Sequence, residues 1–145
     1  NVQADKVDLF VCQLSTNDAS QKKALGKIGT ARDLNEFDTS TVAGSLEYIV
    51  CYAQQKWKCP VVIYTNPQYD SDAYASMVAL PLLEEKWGVS VIDLWNDTEF
   101  NAITAEQREL YMDDAIHPTK AGYLEWWTPV MEPVLYDAAK KGTEQ

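Results

Sequence analysis

The single histidine of the chain, His117, is the natural place to look for chemistry, because a general base working near neutral pH is most often an imidazole. It stands in Asp114-Ala115-Ile116-His117-Pro118, between a polar stretch and the start of a helix pattern. Pro118 suits the first turn of that helix and pushes His117 into an extended conformation, which holds the ring at a helix entrance. Asp114 comes three residues earlier, across a short turn. A carboxylate there can accept the Nδ1 hydrogen, fix the tautomer and stabilise the imidazolium as it forms. The same spacing also fits a surface histidine beside acidic residues, of which this chain has many. A second group is Asn17, in Ser15-Thr16-Asn17-Asp18, just past an apolar strand pattern. Its amide can donate to a developing oxyanion, or it can serve as a turn-forming residue. Asp18 beside it reads as a loop anchor without a chemical role.

The elements that must position these groups alternate. Residues 7–14, Val-Asp-Leu-Phe-Val-Cys-Gln-Leu, are nearly continuous in apolar character. Such a run suits a strand of a parallel sheet buried on both faces, with Val7, Leu9 and Val11 on one side and Phe10, Cys12 and Leu14 on the other. The polar stretch 15–39 leaves the same end of the sheet as Asn17 and is a candidate substrate wall or lid, or else a mobile decoration. A helix opens near Thr39-Ser40-Thr41, with Val42, Leu46, Ile49, Val50, Ala53 and Trp57 on one stripe. Residues 61–65 form a second strand closed by Asn66-Pro67, and a helix over 73–87 comes next, with a kink expected at Pro81 and Gly88 as its cap. Residues 89–95 are a third strand. Thr104-Ala105-Glu106-Gln107 resembles a capping box, and a last helix runs from Pro118 to about Lys141, bent at Pro129 and Pro133. Strand, helix, strand, helix, strand, helix predicts a single α/β domain over 1–145 with a parallel sheet, and active groups just beyond the carboxyl ends of its strands.

Composition narrows the partners. Twelve Lys and Arg against 22 Asp and Glu leave a net charge of -10, so a nucleic acid or an anionic membrane surface would be repelled. No apolar run approaches the ~20 residues of a membrane span. One histidine excludes a multi-histidine metal site. The three cysteines, Cys12, Cys51 and Cys59, are too few for a disulfide framework and read as three buried thiols. Trp95, Trp126 and Trp127 either pack in the core or stack on a sugar or acyl group near the site.

The two polar segments together resemble a known family. Leu9-Phe10-Val11-Cys12-Gln13-Leu14-Ser15-Thr16-Asn17-Asp18 is similar to the third sequence block of the SGNH (GDSL-type) hydrolases, a strand ending in Gly-x-Asn-Asp. Met112-Asp113-Asp114-Ala115-Ile116-His117-Pro118, followed by Ala121-Gly122-Tyr123, resembles their fifth block, Asp-x-x-His-Pro and the last helix. The resemblance implies a flavodoxin-like three-layer α/β/α sandwich and ester hydrolysis through an acyl-serine intermediate. It makes His117 the base, Asp114 its orienter and Asn17 an oxyanion donor. The substrate class it implies is a small-molecule or carbohydrate ester, with no cofactor and no metal.

Two departures stand out. Ser15 replaces the usual glycine before x-Asn-Asp. The family's Gly-Asp-Ser nucleophile block and the block that supplies an oxyanion glycine are absent, and none of Ser15, Ser20, Ser40, Ser45, Ser71, Ser76 and Ser90 has that context. The resemblance therefore implies the carboxy-terminal part of an SGNH domain, with the first strands in an amino-terminal segment of the same protein and the nucleophile strand beside residues 7–14. Two other readings remain. One is a catalytically inactive SGNH-like relative. The other is a flavodoxin-like or receiver-like ligand-binding module, although a Gly-rich phosphate loop and a receiver's acidic pair with its late lysine are both missing.

Overall fold

The protein is described by a computed structural model covering residues 4–78 and 82–143. Three parallel strands form its sheet: β1 (Phe10–Gln13), β2 (Val61–Tyr64) and β3 (Ser90–Ile92), in the order β1-β2-β3. Phe10 lies opposite Val61 and Gln13 opposite Tyr64, while Tyr64 lies opposite Ile92. The amides of Leu14 and Thr65 carry the pairing one step further, to Tyr64 O and Ile92 O.

The first and third strands are shorter than their apolar runs. Pairing is limited by β2, which has only four residues, so 7–9 and 93–95 lie outside the ladder. The alternation of faces holds. Phe10, Leu14, Val61 and Ile63 join one apolar cluster, and Leu9, Val62, Tyr64 and Ile92 the other. Burial of β1 on both faces does not hold. It is an edge strand whose second side meets no other strand among the described residues, and Val11 is 40% exposed. Cys12, on the same edge, is only half-buried, whereas Cys51 and Cys59 are buried; all three thiols are free.

The helices cover both faces. α1 is a short turn, Thr16–Ser20, and α2 spans Val42–Trp57. Thr41 caps α2 by accepting from the Gly44 N–H, and Val42, Leu46, Val50 and Ala53 bury the expected stripe against Val61 and Ile63. Trp57 stacks on Phe10 at 5.8 Å. The expected helix over 73–87 is two helices, α3 (Asp72–Met77) and α4 (Leu82–Trp87). Pro81, where a kink is expected, lies outside the described residues. Gly88 ends α4 as expected, with φ at +62°, a conformation that costs other residues a steric clash.

The opposite face is built by the chain beyond β3. α5 (Thr98–Asn101), capped by Asp97, is not expected from the sequence, because its four residues are too few to show a period. α6 (Ala105–Tyr111) starts with the reciprocal Thr104–Gln107 box. The last helix opens at Lys120, widens into a π-helical stretch over Gly122–Trp127, and continues as α7 (Thr128–Thr143). The Thr128 N–H reaches back five residues to Tyr123 O. Pro129 has no N–H and crowds the carbonyl four residues before it, so the expected bend takes the form of a widened turn. Trp126, Trp127 and Ala138 then cover Val62 and Ile92.

The middle of the stretch 15–39 is strapped down on the α2 side. Leu25 and Ile28 pack on the α2 side of the core. The Gly29 N–H donates to Glu47, and the Lys86 ammonium bonds both Ala31 O and the buried Glu47 carboxylate. Lys86 lies in the last turn of α4, close to where β3 begins. The middle of the segment is thus held along the flank of α2 and α4.

Candidate active site

The dyad is built by one tight turn. α6 ends at Tyr111, and an antiparallel bridge joins Met112 to Pro118, with Asp113 N–H donating to His117 O at 2.8 Å. Inside the turn, Asp114 Oδ1 accepts from the backbone N–H groups of Ile116 and His117, both at 2.8 Å. Its other oxygen, Oδ2, meets His117 Nδ1 at 2.7 Å. The backbone bonds fix the carboxylate, and the carboxylate fixes the ring. Asp114 is held well below the ordinary carboxylate range, at about 2, first by the bond from His117 and then by the two amides. Asp113 contributes its backbone only.

The turn is locked to the last helix from behind. Thr119 N–H donates to Tyr111 O, and the Thr119 hydroxyl donates to Leu110 O and accepts from Gly122 N–H. A Cβ on Gly122 would stand 2.0 Å from Tyr111 O, so only glycine lets the helix start this close to the end of α6. His117 and Asp114 are open to solvent, with side chains 69% and 53% exposed.

Asn17 lies in the first turn of α1, directly after β1. The turn-capping role is taken by Ser15, whose Oγ accepts from Asp18 N–H at 3.1 Å. Ser15 is therefore a helix cap in extended backbone, at φ -66°. The Asn17 side chain is exposed and makes no hydrogen bond to the described residues, which leaves its amide available. No hydrogen bond joins Asn17 to the dyad. His117 and Asp114 are brought together, and Asn17 stands apart, beyond the carboxyl end of β1.

Sequence reasoning missed the buried polar joint beneath Asn17. The Tyr74 hydroxyl donates to Leu14 O at 3.0 Å and accepts from Asn66 N–H at 2.7 Å. Asn66 Oδ1 accepts from Gln13 Nε2 at 3.2 Å. Burial drives the Tyr74 phenol far above its ordinary value, so it stays a donor. This joint fixes where the chain leaves β1 and hence where Asn17 stands. Its only sequence signal was Asn66-Pro67, read as a strand end.

All three tryptophans singled out are core. Trp95 packs between Tyr69 and Tyr74, and Trp126 stacks on Phe100 at 4.5 Å while donating to Phe100 O. Trp127 lies edge-on to both Tyr64 and Tyr123. The Tyr64 phenol is raised by burial first, then by its neighbours Tyr123 and Cys12. A cavity of about 540 Å³ lies elsewhere, lined by Lys58, Cys59, Ser90 and Lys141 among others, and none of the candidate residues borders it. Among the described residues no group of three or more His, Cys, Asp or Glu gathers to hold a metal, and no helix is long and apolar enough to cross a membrane.

No protein-family model matches the sequence, and no curated protein does. The fold is similar to the crystal structure of a protein from Lactobacillus plantarum, with a TM-score of 0.72 at 20% identity over 93% of this chain and 69% of that one. It is also similar to a second crystal structure, with a TM-score of 0.70 at 24% identity over 92% of this chain and 66% of that one. The chain thus spans about two thirds of the length of either protein. At such identities the likeness is one of fold, and the fold is a mixed α/β arrangement around a small parallel sheet.

Proposed function

We propose that this chain carries the base half of an SGNH-type acyl hydrolase, an ester hydrolase that works through an acyl-serine intermediate on the flavodoxin-like α/β/α sandwich of that family. The observation that carries the reading is the His117 Nδ1–Asp114 Oδ2 bond of 2.7 Å, in a turn whose own amides hold the carboxylate. That bond places the ring proton on Nδ1 and leaves Nε2 free to accept another.

The nucleophile is a serine on a strand outside these residues. The free side of β1 is where such a strand would pair, next to the exit that positions Asn17. Both flanks of that edge carry exposed apolar groups: Val11 on one face, and the stacked Tyr48 and Tyr52 of α2 beyond the other. A parallel edge of this kind is ordinarily covered.

The reaction then runs in two halves. His117 Nε2 takes the serine proton as Oγ attacks the ester carbonyl, and the Asn17 amide donates to the oxyanion that forms. The imidazolium, steadied by Asp114, gives its proton to the leaving alcohol. A water molecule, deprotonated by the same Nε2, attacks the acyl carbon, and the proton returns to the serine as the acid departs.

The test joins this chain to its nucleophile segment and treats the protein with a serine-directed phosphonate. A label on a serine outside these 145 residues, dependent on His117, is expected. A label on any of the chain's own serines, or full ester turnover by His117→Ala, would refute the reading.

A further inference from the structure

The cavity of about 540 Å³ lies at the amino ends of β2 and β3, where Val61 and Ser90 begin their strands. The last helix starts from the other end of the sheet. Trp127 meets Tyr64 at the carboxyl end of β2, and Ala138 and Lys141 reach the cavity about three turns later. α2 brings its C-cap, Lys58, to the same place. In a chain of net charge -10, this lining holds two lysines and no Asp or Glu.

Lys58 and Lys141 are exposed, so the cavity opens to solvent beside them, and neither pairs with a carboxylate among the described residues. Ser90 is half-buried in the wall, and its hydroxyl makes no hydrogen bond to the described residues. Lysines at helix ends ordinarily serve the last carbonyls. Here Gln54 O takes the Lys58 backbone N–H at 3.1 Å, and Trp87 O takes Gln54 Nε2 at 2.8 Å. Those carbonyls need no ammonium.

The backbone points the same way. α2 and α4 both end beside this cavity in the left-handed conformation, with φ at +52° for Lys58 and +62° for Gly88. Glycine takes that conformation without a clash, and a residue with a Cβ does not. α4 uses the glycine, whereas α2 keeps a long cationic side chain at a steric cost. Lys141 is placed by its neighbour. A Cβ on Gly142 would stand 2.7 Å from Pro60 Cδ, so the end of α7 is pressed onto the start of β2.

We propose that this cavity binds the phosphoryl group of a small organic phosphate, at a second site on the opposite end of the sheet from Asn17. The two ammonium groups and the Ser90 hydroxyl supply donors for the three outer oxygens of a phosphomonoester. Pro60, Val61 and Trp87 give the organic part an apolar wall, and the volume is that of an ordinary ligand pocket. A monocarboxylate has one oxygen fewer and leaves a donor unused. The site stands independently of the hydrolase reading.

The protein is titrated with phenyl phosphate, inorganic phosphate and benzoate at constant ionic strength, while the amide resonances of Lys58, Ser90 and Lys141 are followed. Saturable shifts are expected with both phosphates, tighter for phenyl phosphate and weakest for benzoate. Lys58→Gly should weaken phenyl phosphate about 10-fold, the scale of one charge-assisted hydrogen bond, with the melting temperature kept or raised. Lys141→Gln should weaken it as well without touching the backbone conformation. Lys22 shares the φ of +52° but does not line the cavity, and Lys22→Gly should leave the affinity unchanged. Absent shifts, benzoate binding as tightly as phenyl phosphate, or an equal loss in Lys22→Gly and Lys58→Gly would overturn the site. A lower melting temperature with unchanged affinity in Lys58→Gly would assign that lysine to the helix end and overturn it too.

Discussion

Replacing Asp114 with asparagine tests the dyad most sharply, because it keeps the shape of the turn and changes one hydrogen-bonding atom. Asp114 Oδ1 accepts from the Ile116 and His117 amides at 2.8 Å, and an asparagine oxygen can take over both bonds. The other position faces His117 Nδ1 at 2.7 Å, and there the variant places an NH2 group, which can only donate. Nδ1 must then accept, so the neutral ring carries its proton on Nε2. That is the nitrogen that has to receive the serine proton. The base is held in place in the wrong tautomer. The expected loss is about 10⁴ in kcat with KM little changed, equivalent to ~5.4 kcal/mol of barrier. The assay is turnover of a soluble acetyl ester by the protein that includes the nucleophile segment. Imidazole ¹⁵N shifts in this chain report the tautomer independently. Asp114→Ala should fall at least as far, since it also releases the backbone of the turn. A rate within 10-fold of the parent in Asp114→Asn, with Nε2 shown to be protonated, would refute the assignment of His117 as the base.

Three further outcomes are expected. Asn17→Ala should lower kcat by about 10²–10³ with an unchanged circular dichroism spectrum, because the side chain supports nothing in the fold and one oxyanion donor is worth that much. The Asp114 carboxyl carbon should titrate by NMR with a midpoint near 2, below the ordinary ~3.9 of an aspartate; its stabilisation of the turn is then complete above the ordinary value and is lost as pH falls toward 2. An ordinary midpoint would mean that the His117 bond does not form in solution. Gly122→Ala should lower the melting temperature, since its Cβ would press within 2.0 Å of Tyr111 O and forced packing of this kind costs about 1–3 kcal/mol; an unchanged melting curve would show that the helix start is not locked to α6.

Local patterns carried the helices best. Thr41 before a stripe at three- and four-residue steps, and Thr104 with Gln107, each concern neighbours in sequence, and each stands as read. Strand lengths were not legible, because a strand extends only as far as its partner. Four residues in β2 set the ladder for both neighbours, whatever the apolar runs on either side. The course of 15–39 was equally hidden. It depends on Glu47 and Lys86, 39 residues apart, meeting each other and gathering Gly29 and Ala31.

The same division runs through the site. Asp114 and His117 were legible because one turn of five residues supplies the carboxylate, the ring and the amides that hold the carboxylate. The geometry needs no distant partner. Asn17 was legible in kind but not in support, since its place depends on Tyr74 reaching across to Leu14 and Asn66. The packing of the tryptophans was the least legible of all. Trp126 and Trp127 are adjacent in sequence and both buried, yet one stacks on Phe100 and the other lies between Tyr64 and Tyr123. A π-helical stretch sets where each ring points, and a wider turn shifts every later residue around the helix relative to an α-helical count. Pro129 imposes that widening from two positions beyond Trp127. A proline read from the sequence only as a bend thus decides which tryptophan meets the exposed Tyr123 ring.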